Sequence, residues 1–165
     1  MFTIKKINHN DINKITVLQK EIIFSLKEKS LFYPLNMDEL ECIVKYTGYI
    51  IGLYFNEALI GYATIIYCSK DKQLSQIYDI PNKYIPLTAI LDDVAISSHF
   101  RGKGYQLLLW NYITIHFCSK TKFLLTSIHP DNTASLKNAF RFDMTIILEK
   151  KMYNDSLRYI LLKRL

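Results

Sequence analysis

The sequence predicts a mixed α/β fold in a single domain, a sheet with helices packed on its faces. Two observations carry that prediction. Short β-rich runs alternate with stretches whose apolar residues recur at helical spacing, in the order βααββ and then βαβαββ. The chain has 165 residues, half of them apolar, which suits one good core and is too apolar for a disordered chain. No repeat, linker or second domain interrupts it, so residues 1–165 read as one unit.

Residues 2–7 alternate as a first strand does. Residues 10–27 place Ile12, Ile15, Leu18, Ile22 and Leu26 on one helical face. Asn36 with Glu39 three residues on is an asparagine form of the capping box, and it opens a second helix with Leu40, Ile43 and Val44 inward. Residues 48–55 and 58–67 flank Asn56-Glu57 as a hairpin. Residues 69–87 are polar and hold Pro81 and Pro86; they read either as a substrate-facing loop or as a disordered insertion. Leu91 to Ile96 is a strand, Ser97 to Phe100 a turn, and Leu107 to Cys118 an apolar helix. Residues 123–128 form a strand that ends at His129-Pro130. Asp131 or Asn132 caps a short helix up to about Phe140. Residues 144–153 and 157–164 are two last strands around Asn154-Asp155-Ser156.

The turn between the 91–96 strand and the apolar helix is the most informative segment. Its Arg101-Gly102-Lys103-Gly104-Tyr105-Gln106-Leu107 would present free backbone N–H groups and a positive helix end to an anion, usually a phosphate. A nucleotide P-loop needs Ser or Thr after Gly-Lys, and here Gly104-Tyr105 follows Lys103. A dinucleotide loop needs a third glycine where Leu107 stands. What remains is R-x-x-G-x-(G/A) after a strand, filled by Arg101, Gly104 and, at the last place, Gln106.

That pattern resembles the acetyl-CoA pyrophosphate loop of the GNAT N-acetyltransferase superfamily, and Gln106 is a departure found in some bacterial members. The element order matches the superfamily over nearly the whole chain, with the glycine loop and the Asn132 helix in their usual places. The resemblance implies a mostly antiparallel central sheet of about seven strands with helices on both faces. It implies acetyl-CoA as cosubstrate, its pantetheine amides bonded to the backbone of Val94, Ala95 and Ile96 as an added strand would be. The pyrophosphate would lie on the N–H groups from Gly102 to Leu107, with Arg101 and Lys103 adding charge. Asn132 matches the asparagine that contacts the pantetheine arm, and Ser135 a small residue lining it; Asn132 also suits a plain helix cap.

Acetyl transfer to an amine needs a base to take the ammonium proton, while a thiol leaves acceptably as its anion. Asp92 and Asp93 offer carboxylates, and strand alternation would turn only one of them to the cleft. The resemblance to polyamine-type members favours Asp92 as the catalytic base. The tyrosine that often follows the asparagine by seven residues, as proton donor to the thiolate, is Ala139 here, and Asp143 replaces a usual glycine. Tyr153 is a conceivable substitute among 12 tyrosines. His129 before Pro130 reads as structural, and Cys118 as core.

The acceptor implied is a small-molecule primary amine: a polyamine, an amino acid or an amino sugar. Two other readings stand beside it. Ala139 and Asp143 would suit a non-catalytic acyl-CoA-binding module. A net charge of +6 would suit an acetyltransferase acting on a macromolecule, such as tRNA or a protein N-terminus. The lysines are dispersed rather than gathered in a basic stripe, so nucleic acid is not the expected partner. No apolar run reaches membrane-spanning length, and no secretory leader is recognised. Cys42, Cys68 and Cys118 are scattered and odd in number, as in a reducing cytoplasm, and no zinc-type spacing points to a metal. The final apolar strand, Tyr159 to Leu162, could complete the sheet of a homodimer.

Overall fold

A computed structural model describes all 165 residues. One sheet of eight strands forms the frame: β1 (Phe2–Lys6), β2 (Gly48–Phe55), β3 (Ala58–Tyr67), β4 (Thr88–Ile90), β5 (Val94–Ile96), β6 (Phe123–Ile128), β7 (Thr145–Met152) and β8 (Ser156–Arg164). Their order is β1-β2-β3-β4-β6-β8-β7, with β5 beside β3 only. The β4–β6 pair is parallel and every other pair antiparallel. The helices are α1 (Ile12–Ser25), α2 (Met37–Cys42), α3 (Lys72–Ile77), α4 (Tyr105–Phe117) and α5 (Thr133–Arg141). No helix is long and apolar enough to cross a membrane.

Each face of the sheet buries its own core, because successive strand residues point to opposite sides. Ile12, Ile15, Leu18 and Ile22 of α1 pack with Leu40 of α2 on one face. Leu109, Trp110 and Ile113 of α4 pack with Ala139 of α5 on the other. In β8, Ile160 belongs to the first core and its neighbour Leu161 to the second. The capping box forms as expected: the Glu39 N–H donates to Asn36 Oδ1 at 3.0 Å, and the Asn36 N–H to Glu39 Oε2 at 2.7 Å.

Three expectations are corrected. The segment 69–87 is not a disordered insertion: it is ordered, and its Asp71, Gln73, Leu74 and Ile77 line a cleft. It holds α3, capped by Asp71 accepting from the Leu74 N–H at 2.8 Å, and a 3₁₀ turn over Asn82–Leu87, and it buries Leu74 and Tyr78 in the first core. The last strand is not an edge: β8 lies between β6 and β7, so Tyr159 to Leu162 cannot extend the sheet to a second copy. The free edge at that end of the sheet belongs to β7, where Ile146, Ile147 and Leu148 are exposed.

The third correction shapes the site. The strand expected over 91–96 is two strands, β4 and β5, joined by Leu91-Asp92-Asp93. Ile66 pairs with Ile90, whereas Ala63 pairs with Val94, so one extra residue sits on the 91–93 side. This is a β-bulge, which bends its strand and re-aims side chains.

Candidate functional site

The bulge ends the contact between the two central strands. The Leu91 N–H donates to the Leu125 carbonyl at 2.8 Å, and Thr126 Oγ1 to the Leu91 carbonyl at 2.8 Å. Beyond that point β5 follows β3 while β6 follows β8, and the sheet opens into a V. The Thr64 N–H donates to the Asp93 carbonyl, and the Ser97 N–H to the Ile60 carbonyl, so the odd-numbered residues of β5 face β3. By alternation the backbone groups of Val94 and Ile96 face the opening. Ala95, expected beside them, pairs with Tyr62 instead and has nothing free to offer there.

The glycine loop closes the wide end of the V. Gly102 and Gly104 have φ of 76° and 78°, the left-handed region where a side chain is strained. A Cβ built at either would meet nothing within 4 Å, so the outer side of the loop is open. Gly104 is the N-cap of α4 and lends no side chain, which leaves the N–H groups of Tyr105, Gln106 and Leu107 without helical acceptors. Arg101 turns back, its Nε donating to the Ile96 carbonyl at 3.2 Å and its guanidinium to Ser25 Oγ at 3.2 Å. Lys103 is exposed, with its ammonium 5.4 Å from the Phe100 ring centre. Tyr105 packs on Phe2, with ring centres 5.3 Å apart.

Glu21 of α1 holds this loop in place and carried no sequence signal. It accepts from Ser98 Oγ at 2.7 Å, the Ser98 N–H at 3.0 Å and Ser97 Oγ at 3.3 Å. Burial pushes its carboxyl up, but the hydrogen bonds outweigh that and leave its pKa below the ordinary value.

A cleft of about 450 Å³ runs through the V. Asp92, Asp93, Gln106, Trp110, Asn132 and Ser135 all line it. That both aspartates do so corrects the expectation of one, because the bulge suspends strict alternation. Asp92 is half-buried and accepts from the Tyr153 hydroxyl at 3.4 Å. Burial raises its pKa to about 6, with the negative Glu39 adding to the shift and Tyr153 opposing it. Asp93 is buried more deeply. It accepts from the Tyr62 hydroxyl at 2.6 Å, and its N–H donates to Thr64 Oγ1 at 2.8 Å. Burial raises its pKa to about 7 against the Tyr62 hydrogen bond.

Asp93 thus carries a testable cost. Its folded pKa lies above the ordinary 3.8, so the folded state holds its proton longer than the unfolded chain. Its contribution to stability is full below about pH 4 and is lost as pH rises through about 7. Thermal melts from pH 4 to 8 should show Asp93→Asn losing less stability across that window than the wild type. Parallel curves would remove this account.

Asn132 caps α5, its Oδ1 accepting from the Ser135 N–H at 3.1 Å, while its Nδ2 donates to the Leu31 carbonyl at 3.4 Å. Gln106 Oε1 accepts from Asn138 Nδ2 at 2.9 Å, which leaves Gln106 Nε2 buried without a partner. Trp110 Nε1 is a second buried donor without one. Arg158 Nε is a third, and because buried donors are nearly always satisfied, three orphans on one cleft fit a polar ligand. Free backbone edge, open glycine loop and orphan donors together fit a phosphorylated ligand with an extended amide arm.

The remaining candidates separate cleanly. His129 Nδ1 accepts from the Asp131 N–H at 3.1 Å and serves the turn. Ala139 is fully buried against the second core and offers no proton. Cys118 is buried in the same core, which pushes its thiol up to about 11. Tyr153 stands in the cleft instead, stacked on Tyr33 with ring centres 5.0 Å apart. Burial and the Asp92 charge raise its pKa, so the phenol keeps its proton.

No protein-family model matches the chain, and no curated protein sequence does. Solved structures do match. An acetyltransferase of the GNAT family from Streptococcus pneumoniae superposes with a TM-score of 0.70 at 14% identity, covering 99% of each chain. The ribosomal-protein-S18-alanine N-acetyltransferase from Escherichia coli gives 0.73 at 12% identity, over 99% of this chain and 94% of that one. The Salmonella typhimurium protein yncA, solved with its cofactor acetyl-CoA, gives 0.69 at 14% identity, over 99% and 94%. At such identities the likeness shows the fold: this chain has the fold of GNAT acetyltransferases.

Proposed function

We propose that the chain is an acetyl-CoA-dependent N-acetyltransferase that transfers an acetyl group directly to a primary amine of a small molecule. The observation that carries the reading is the V itself. It sets an unpaired backbone edge and a half-buried carboxylate on one cleft, with the open glycine loop leading into Gln106 on the cleft wall. The Val94 N–H and carbonyl and the Ile96 N–H would hold the pantetheine arm, the Ile96 carbonyl being taken by Arg101, and the first-turn N–H groups of α4 would hold the pyrophosphate. Gln106, Trp110, Asn132 and Ser135 would line the arm. Acetyl-CoA would supply the activated acyl group as a thioester; the amine nitrogen bonds the acyl carbon as the C–S bond breaks.

The chain's own work is positioning and one proton transfer. Asp92 takes the ammonium proton, and a pKa of about 6 leaves it ionised at neutral pH yet basic enough to accept. Tyr153, held on Asp92, orients that carboxylate, and the second proton that the nitrogen loses as the amide forms goes to the leaving thiolate. Free Cys42, Cys68 and Cys118 agree with a cytoplasmic setting.

Calorimetric titration with acetyl-CoA, followed by turnover on an amine panel, tests the reading. Saturable one-site binding with acetylated product is the expected result. Binding without turnover would favour the acyl-CoA-binding module, which Ala139 motivates. Turnover only on protein N-termini or tRNA would favour the macromolecular acceptor, in line with the S18-alanine enzyme's fold and the +6 charge. Absence of binding would overturn all three.

A further inference from the structure

Arg158 is the one cation lining the cleft, and nothing in the protein pairs with it. It lies on β8, opposite Lys150 of β7, and is only 5% exposed. It forms no ion pair, and its Nε is buried without a hydrogen-bond partner. The Tyr153 ring centre is 5.6 Å from the guanidinium carbon. A charge taken from water is costly unless paired, and a guanidinium presents a planar fork made for a carboxylate. Four carboxylic residues, Glu39, Asp71, Asp92 and Asp93, line the same cleft, and none of them bonds Arg158.

We propose that Arg158 binds a carboxylate of the acceptor, so that the acceptor is an amino acid, an amine and a carboxylate on one small molecule. This rests on the acetyltransferase reading and narrows its acceptor. Tyr153 touches both ends of the site, bonding Asp92 through its hydroxyl and facing Arg158 with its ring. An ammonium at Asp92 and a carboxylate at Arg158 would satisfy both charges of a zwitterion at once. A polyamine would bring only like charge to the guanidinium. A doubly charged phosphate would meet one cation and four acids.

The test compares the proteinogenic amino acids with their C-terminal amides, on wild-type protein saturated with CoA for binding and with acetyl-CoA for turnover. At least one free acid should bind and react better than its amide, by about tenfold or more. In Arg158→Gln that acid-to-amide ratio should collapse toward one through KM, and Arg158→Lys should restore part of it. The ratio in the wild type reads the proposal even where a variant fails to fold. Equal binding of acids and amides, or a preference that survives Arg158→Gln, would overturn it. Turnover of amides and acids alike would sink the carboxylate site and leave acetyl transfer standing. Acid-selective binding without turnover would do the reverse.

Discussion

Asp92→Asn is expected to lower kcat by about two to four powers of ten, the range general-base catalysis supplies, while acetyl-CoA affinity stays at the wild-type value. The two readouts separate because Asp92 sits on the bulge, whereas the glycine loop lies beyond β5. Asparagine has nearly the same shape and can still accept from the Tyr153 hydroxyl, so the fold should survive. The wild-type rate should rise with pH along a limb that bends near the carboxyl's pKa of about 6, because only the ionised form accepts a proton. In the variant that limb should vanish. Wild-type turnover by Asp92→Asn would remove the residue as the base. Asp93 then becomes the alternative, although the Tyr62 hydroxyl already bonds its carboxylate.

What the sequence made legible was local chemistry. The Asn36–Glu39 box, the Asn56-Glu57 hairpin and the Gly102–Gly104 turn each follow from residue types a few positions apart, and each is where expected. What it concealed depends on distant partners. The bulge exists because β3 spends two residues, Thr64 and Ile65, where the other strand spends three. No pattern within Leu91 to Ile96 reveals that count, so alternation misassigns Asp93; the family resemblance places Ala95 among the free groups, and the pairing of β5 with β3 turns it away. Glu21 looks like any polar residue on an amphipathic helix until its fold partners, Ser97 and Ser98, come beside it. Arg158 reads as the polar half of a strand's alternation. It is buried because the fold turns it into the cleft beside Tyr153, and the insertion of β8 between β6 and β7 takes the last strand off the edge.

Gly104→Val should weaken acetyl-CoA binding by about tenfold or more while lowering the melting temperature only slightly. The reason is conformational rather than steric. A Cβ at position 104 meets no protein atom within 4 Å, so a side chain does not collide with the fold. Its φ of 78° is the difficulty, since a non-glycine residue pays about 1–2 kcal/mol to stay left-handed and a β-branched one more. The protein can escape that cost by swinging residue 104 to negative φ. The loop is exposed, so the escape is cheap for stability. It is expensive for binding, because residue 104 is the N-cap that aims the N–H groups of Tyr105, Gln106 and Leu107 outward. The strain is therefore paid in anion affinity, whichever way the loop relaxes. A titration in which Gly104→Val binds acetyl-CoA as tightly as the wild type would mean that the pyrophosphate does not rest on this turn, and the cofactor half of the site would have to be placed elsewhere along the V.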